Sequence, residues 1–124
     1  MYRCLVLAFA LWASAAAAQV QRAFPPDALR GEISFGMAPE VAVNGQRAML
    51  APGARIRDKN NMLAMSASLA GVRLTVHYTI DINGQVKDVW ILRPDELANQ
   101  PWPANLKESQ TWAFDPIAQR WAKR

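Results

Sequence analysis

The chain of 124 residues holds a single cysteine, Cys4, and a single histidine, His77. One cysteine excludes an intramolecular disulfide, and its place before the N-terminal apolar run argues against lipid attachment. One histidine leaves imidazole chemistry resting on one side chain. None of the six glycines builds a Gly-rich loop that follows a strand and opens a helix, so no phosphate-cradling motif is present. Ser34, Ser66, Ser68 and Ser109 lie in no nucleophile-elbow context. The reading is therefore of a protein that is not an enzyme. Its formal net charge of +4 is weaker than that of a dedicated nucleic-acid binder, and no nucleic acid is expected as a partner. No apolar run approaches the roughly 20 residues of a spanning helix.

What is present begins at the N-terminus. Arg3 precedes the apolar stretch Cys4 to Ala13, which decays into Ser14-Ala15-Ala16-Ala17-Ala18. Charge, short apolar run and small residues in that order are the pattern of a secretory signal peptide. Residues 1–18 are expected to be removed by cleavage near Ala18, which places the protein in the periplasm or elsewhere outside the cytoplasm, with no transmembrane anchor left. Cleavage removes Cys4 and Arg3, so about 106 residues remain with a net charge of +3 and no thiol. Stability must then come from burial, and about this length suffices for one core.

In the remaining chain, residues 19–30 read as an extended lead-in around Phe24-Pro25-Pro26-Asp27, and residues 31–124 as one β-rich domain. Ile33, Phe35 and Met37 alternate with Glu32, Ser34 and Gly36, a strand signature. Val41 and Val43 lead into Asn44-Gly45, the dipeptide suited to a type I′ hairpin, with Gln46 to Leu50 returning. Pro52-Gly53 should end that strand, and Arg55-Ile56-Arg57 should form another. Val72 to Ile82 alternates over eleven residues and predicts a long antiparallel strand with one buried face. Asn83-Gly84 turns it into Gln85 to Leu92, with Val89 and Ile91 on the face of Val76 and Tyr78. A two-residue and a four-residue loop both match, so His77 faces either Asp88 or Trp90. Pro94 opens a first helical turn, Asn105 to Thr111 suits a short helix, and Asp115-Pro116 suits a cap for a last helix over Ile117 to Lys123. The predicted fold class is mainly β, with α+β as the alternative: a small antiparallel sheet built from two Asn-Gly hairpins with short helices near the C-terminus.

The stretch from Gly71 to Leu92, with its Asp81-Ile82-Asn83-Gly84 turn and Val86-Lys87-Asp88-Val89-Trp90-Ile91-Leu92 return, resembles the hairpin of the TonB C-terminal domain family. Trp112-Ala113-Phe114-Asp115-Pro116 is similar to a later segment of that family. The Asn44-Gly45 hairpin has no counterpart there. The resemblance covers about a quarter of the chain. It implies a periplasmic interaction module that pairs with partner proteins at an exposed sheet edge.

Two sets of residues are candidates for binding. Arg55, Arg57 and Lys59 form the densest basic group, interrupted by Asp58, and would meet an acidic partner or another anionic surface. Trp102 and Trp121, in the proline-rich tail, are the tryptophans expected to be partly exposed as interface anchors. Together they point to a non-enzymatic accessory domain that binds an unidentified envelope protein and needs no cofactor. The alternative is a small ligand or copper carrier, because thioethers and imidazole hold cuprous ion. Its ligands would be Met62, Met65 and His77, with the two methionines adjacent only if that run is helical.

Overall fold

Among residues 21–124, which the computed structural model describes, the first regular element is strand β1, Leu29–Phe35. The expected signal segment lies outside the described residues. β1 buries Leu29, Ile33 and Phe35 and leaves Glu32 exposed, as alternation demands. It is antiparallel to β2, Glu40–Val43, which turns through Asn44 and Gly45 into β3, Gln46–Arg57. Asn44 and Gly45 both hold positive φ, 52° and 81°, and Val43 pairs directly with Gln46. The two-residue turn is thus the one that this dipeptide favours.

Pro52-Gly53 does not end β3. Proline has no amide to donate and Gly53 takes φ 77°, so the ladder breaks between Leu50 and Arg55 while the chain keeps its direction. The break changes partners: residues 46–49 pair with β2, and Arg55 to Arg57 lie beside a later strand. Met62-Leu63-Ala64-Met65 is not helical, since Leu63–Ala64 forms a short strand, β4, against the end of β3. A 3₁₀ turn, Ser66–Leu69, leads to β5, Arg73–Ile80, and then β6, Val86–Ile91.

The β5–β6 register sets Val76 opposite Ile91, His77 opposite Trp90 and Tyr78 opposite Val89. The loop between them is neither of the two expected lengths. The Asp81 carboxylate accepts from the amides of Asn83 and Gln85, both at 2.9 Å, and the ladder shifts register beside Ile80. A carboxylate that caps two loop amides favours this longer connection over the tight turn.

β1 pairs with β2 and β5, β2 with β3, β3 with β6 in parallel, and β6 with β5, so five strands close into a small Greek-key barrel, with β4 as an appendage. This is the architecture class that includes OB-folds. The protein is mainly β, with a mixed rather than purely antiparallel sheet. Ile33, Phe35, Val41, Leu50, Ile56, Val76, Val86 and Val89 fill the interior.

A second apolar layer covers the outward face of β5 and β6. After β6 come helix α1, Pro94–Leu97, and α2, Leu106–Thr111, capped by Asn105 Oδ1 accepting from the Glu108 amide at 2.9 Å. The expected last helix is absent: β7, Ala113–Asp115, and β8, Arg120–Ala122, form a hairpin instead. Asp115 does cap the amides of Ile117 and Ala118, but Gln119 takes φ 55° and turns the chain back. Trp121 then stacks on Phe114 at 4.6 Å, while Ile117 stays exposed. Phe24 and Ala28 of the lead-in join Trp90, Leu92, Trp102 and Trp121 in this layer. The Trp102 indole donates to the Ala28 carbonyl at 2.9 Å, and the Arg30 amide to the Pro103 carbonyl at 2.8 Å. The lead-in is therefore integral to the second core.

Candidate partner-binding surface

The last residues of β3 alternate as a strand must: Ile56 points into the barrel, and Arg55 and Arg57 lie on the outer face. Asp58, which interrupts the basic run, spends its carboxylate locally, accepting from the amides of Asn60 and Met62 at 2.9 Å each. Its carbonyl accepts from Arg22 Nη1 at 2.9 Å. The resulting turn, with Asn61 at φ 64°, carries Lys59 to the rim of an open concavity of about 680 Å³. Arg57, Lys59, Asn60, Asn61, Trp90 and Arg93 are among the residues lining it.

Not all of its cations are available. Arg22 is engaged by Glu96, and Arg93 by Asp95 and Glu96. Arg57 and Lys59 form no ion pair with a described acidic residue. Two positive charges therefore face this hollow without an acidic counterpart among the described residues. Beside it, β4 pairs with β3 alone among the described residues, and Met62, Leu63 and Met65 are 65 %, 70 % and 76 % exposed. An open strand edge with flexible apolar side chains is adhesive, and cations at its rim restrict what adheres.

Of the residues expected to bind a partner, Arg55, Arg57 and Lys59 share this corner, although Arg55 does not line the hollow. Trp102 and Trp121 are not exposed anchors. The tail folds back over β5, so Trp102 stacks on His77 at 4.1 Å and Trp121 packs edge-on to Trp102 at 6.0 Å. Both are core residues of the second layer. The metal set is not assembled either: Met62 and Met65 sit at the surface, and His77 is buried between Phe24 and Trp102. The Arg30 guanidinium donates to His77 Nε2 from Nε at 3.2 Å and Nη2 at 3.1 Å, which occupies the lone pair a metal would need.

His77 is also unsuited to proton transfer. Burial, with the charges of Arg30 and Arg22 adding to it, lowers its pKa to about 2. Of the two residues expected opposite His77, the register selects Trp90, and Asp88 lies opposite Thr79, whose hydroxyl donates to it at 3.2 Å. Sequence reasoning did not find Trp90 in the lining of the hollow, nor Arg22 and Glu96 as buried structural charges and Arg30 as a half-buried one. Nothing local marks Arg22, since the groups that bind it lie 36 to 74 residues away.

The fold and site thus define a class: a small Greek-key barrel with an aromatic second layer, carrying a cationic hollow next to an open apolar strand edge. No known protein family, curated protein or solved structure matches the chain.

Proposed function

We propose that the protein is a non-enzymatic docking domain of the bacterial cell envelope. It acts outside the cytoplasm after loss of residues 1–18 and receives an acidic, extended segment of another envelope protein. The observation that carries this reading is the pair Arg57 and Lys59, without acidic counterparts among the described residues, which with Trp90 line a hollow that adjoins the open edge of β4. A segment with alternating acidic and apolar side chains would place charge on Arg57 and Lys59 and apolar groups against Met62 and Leu63, by strand addition. The resemblance of residues 71–92 and 112–116 to the TonB C-terminal domain family supports the same kind of edge-directed interaction.

The test uses the mature chain and a fluorescent peptide of alternating Glu and Val as the probe. Binding should weaken with added salt, and the double change Arg57→Gln and Lys59→Gln should weaken it about tenfold, which corresponds to about 1.4 kcal/mol. Photo-crosslinking from position 60 in cells should then capture an envelope protein whose acidic segment competes with the probe. Binding that is indifferent to salt and to both substitutions would overturn the proposal.

A further inference from the structure

The two ends of the barrel are not alike. At the end where β1 finishes, Leu69 of the 3₁₀ turn packs on the core and Ala70 bridges Phe35. At the other end β1 and β3 begin and β2 and β5 finish, and the residues there surround a cavity of about 610 Å³. That volume falls within the roughly 300–1,000 Å³ of small-molecule sites, for which barrel mouths are a preferred place. Its apolar wall is aliphatic: Leu29 from β1, Val43 from β2, Ala48 from β3 and Ile80 from β5, with the half-exposed Leu106 of α2 completing it. Tyr78 also lines the cavity and is only 5 % exposed. Its hydroxyl forms no hydrogen bond with a described residue, yet it is not among the unpaired atoms cut off from solvent, which are His77 Nδ1, Asn99 Oδ1 and Trp121 Nε1. The phenol therefore keeps its small accessible surface toward the mouth. Burial raises its pKa above the ordinary 10.0, so at neutral pH it carries the proton needed to donate.

The other free polar groups of the lining also donate. Asn44 and Tyr78 meet over Gly31, where a Cβ would lie 2.9 Å from Tyr78 Cε1 and 3.0 Å from Asn44 Nδ2. Asn44 Oδ1 already accepts from the Glu32 amide at 2.9 Å, which leaves the NH₂ as the open half of that side chain. Arg47 lines the cavity and forms no ion pair or hydrogen bond with a described residue. No aspartate or glutamate lines it. The acids close by are engaged elsewhere: Glu32 pairs with Arg73 at 3.0 Å, Asp81 accepts from two loop amides, and Glu108 accepts from Asn105 Nδ2 at 3.0 Å. A cation entering the mouth would meet Arg47 and no acid, and a wholly apolar molecule would leave the phenol unpaired. An anion with an aliphatic tail uses both halves of the lining, and one planar guanidinium with one hydroxyl suits the single charge of a carboxylate. We propose that the barrel mouth binds a free aliphatic carboxylate, its chain against Leu29, Val43 and Ile80, its oxygens accepting from the Tyr78 hydroxyl and Arg47 supplying the countercharge.

The experiment follows the ring resonances of Tyr78 in the mature chain, which lacks Tyr2 and so has one tyrosine. Octanoate should shift these signals saturably, octyltrimethylammonium should not, and octan-1-ol should bind about tenfold more weakly than octanoate, having lost the charge-assisted bond. Tyr78→Phe keeps the ring in the core and should weaken octanoate about tenfold, read by calorimetry. Arg47→Gln, at an exposed position, should weaken octanoate about threefold and leave octan-1-ol unchanged. The absence of any shift with octanoate would overturn the proposal. Equal affinity for octanoate and octan-1-ol, or indifference of octanoate to both substitutions, would show a mouth that takes apolar chains without choosing a headgroup and would overturn it too. A peptide ending in Val-Leu with a free carboxylate carries the same chemistry from another source. A response to that peptide and none to octanoate would assign the mouth to a protein terminus, against the proposal. The mouth shares no residue with the hollow of Arg57 and Lys59, so its outcome is separate from that of the docking proposal.

Discussion

Arg22 and Glu96, 74 residues apart, form a buried ion pair in which Arg22 Nε donates to Glu96 Oε2 at 2.8 Å and Nη2 to Oε1. Their side chains are 5 % and 7 % exposed. Nη2 also donates to the Ile91 carbonyl at 2.7 Å, so this one guanidinium ties the lead-in to the end of β6 and to α1. Removing one member of such a pair strands the other in a medium that solvates it poorly. Arg22→Ala should lower the unfolding free energy by about 3–5 kcal/mol in urea titrations. Replacing both residues, as Arg22→Met with Glu96→Leu, should recover part of the loss. Recovery stays incomplete because the Arg93 amide donates to Glu96 Oε1 at 2.9 Å and would lose that acceptor.

His77 makes stability depend on pH. Its pKa is about 2 in the folded protein against an ordinary 6.5, so below pH 6.5 the unfolded chain binds a proton that the folded chain refuses. The contribution is fully present above pH 6.5 and is lost progressively as pH falls toward the folded value, by about 1.4 kcal/mol per pH unit. His77→Gln keeps an acceptor in reach of Arg30 without a titrating ring. Between pH 7 and pH 5 the wild type should therefore lose about 2 kcal/mol more than this variant, read from paired urea curves. Parallel curves would show that the imidazole is protonated in the folded state.

Gly31 in β1 has little room for a side chain. A Cβ there would lie 2.9 Å from Cε1 of Tyr78 and 3.0 Å from the Asn44 amide. Neither neighbour yields freely, because Tyr78 is buried in the barrel core and Asn44 Oδ1 accepts from the Glu32 amide at 2.9 Å. Gly31→Ala should destabilise by about 1–3 kcal/mol and lower the melting temperature by several degrees. An unchanged melting curve would mean that the β1–β5 contact is looser than this spacing.

The elements legible in the sequence are those fixed by local chemistry. The alternation through Val76 and Tyr78 gave the strand and its buried face, and Asn44-Gly45 gave a turn of the right length, since positive φ at two successive residues is a local demand. Pro52-Gly53 was misleading because a stop and a bulge use the same residues; the difference lies in β6, which receives Arg55 to Arg57 more than thirty residues later. Asp115-Pro116 served an Asx-type turn rather than a helix cap, and the arbiter was Trp121 stacking on Phe114. At the candidate site, the clustering of Arg57 and Lys59 was visible as a charge run. The burial of Trp102 and Trp121 was not, because it depends on the tail meeting a lead-in about eighty residues earlier.

That meeting supplies the last prediction. The Phe24 ring lies edge-on to His77 at 4.4 Å, to Trp90 at 5.6 Å and to Trp102 at 5.8 Å, and its amide donates to Gln119 Oε1 at 2.9 Å. With Trp102 stacked on the other side, it is thus part of the aromatic cover over the imidazole, and burial is the first cause of the low His77 pKa. Phe24→Ala should cost about 3–5 kcal/mol in stability. It should also raise the His77 pKa from about 2 toward 6.5, because water reaching the ring solvates its charged form. With one histidine in the chain, the ring-proton titration by NMR is unambiguous. Phe24→Leu, which still fills most of the space, should fall between the two. If the Phe24→Ala ring stays unprotonated throughout the range in which the wild type does, the depression comes from Arg30 and Arg22 rather than from the aromatic cover, and the lead-in is a stabilising strap with no hold on the imidazole.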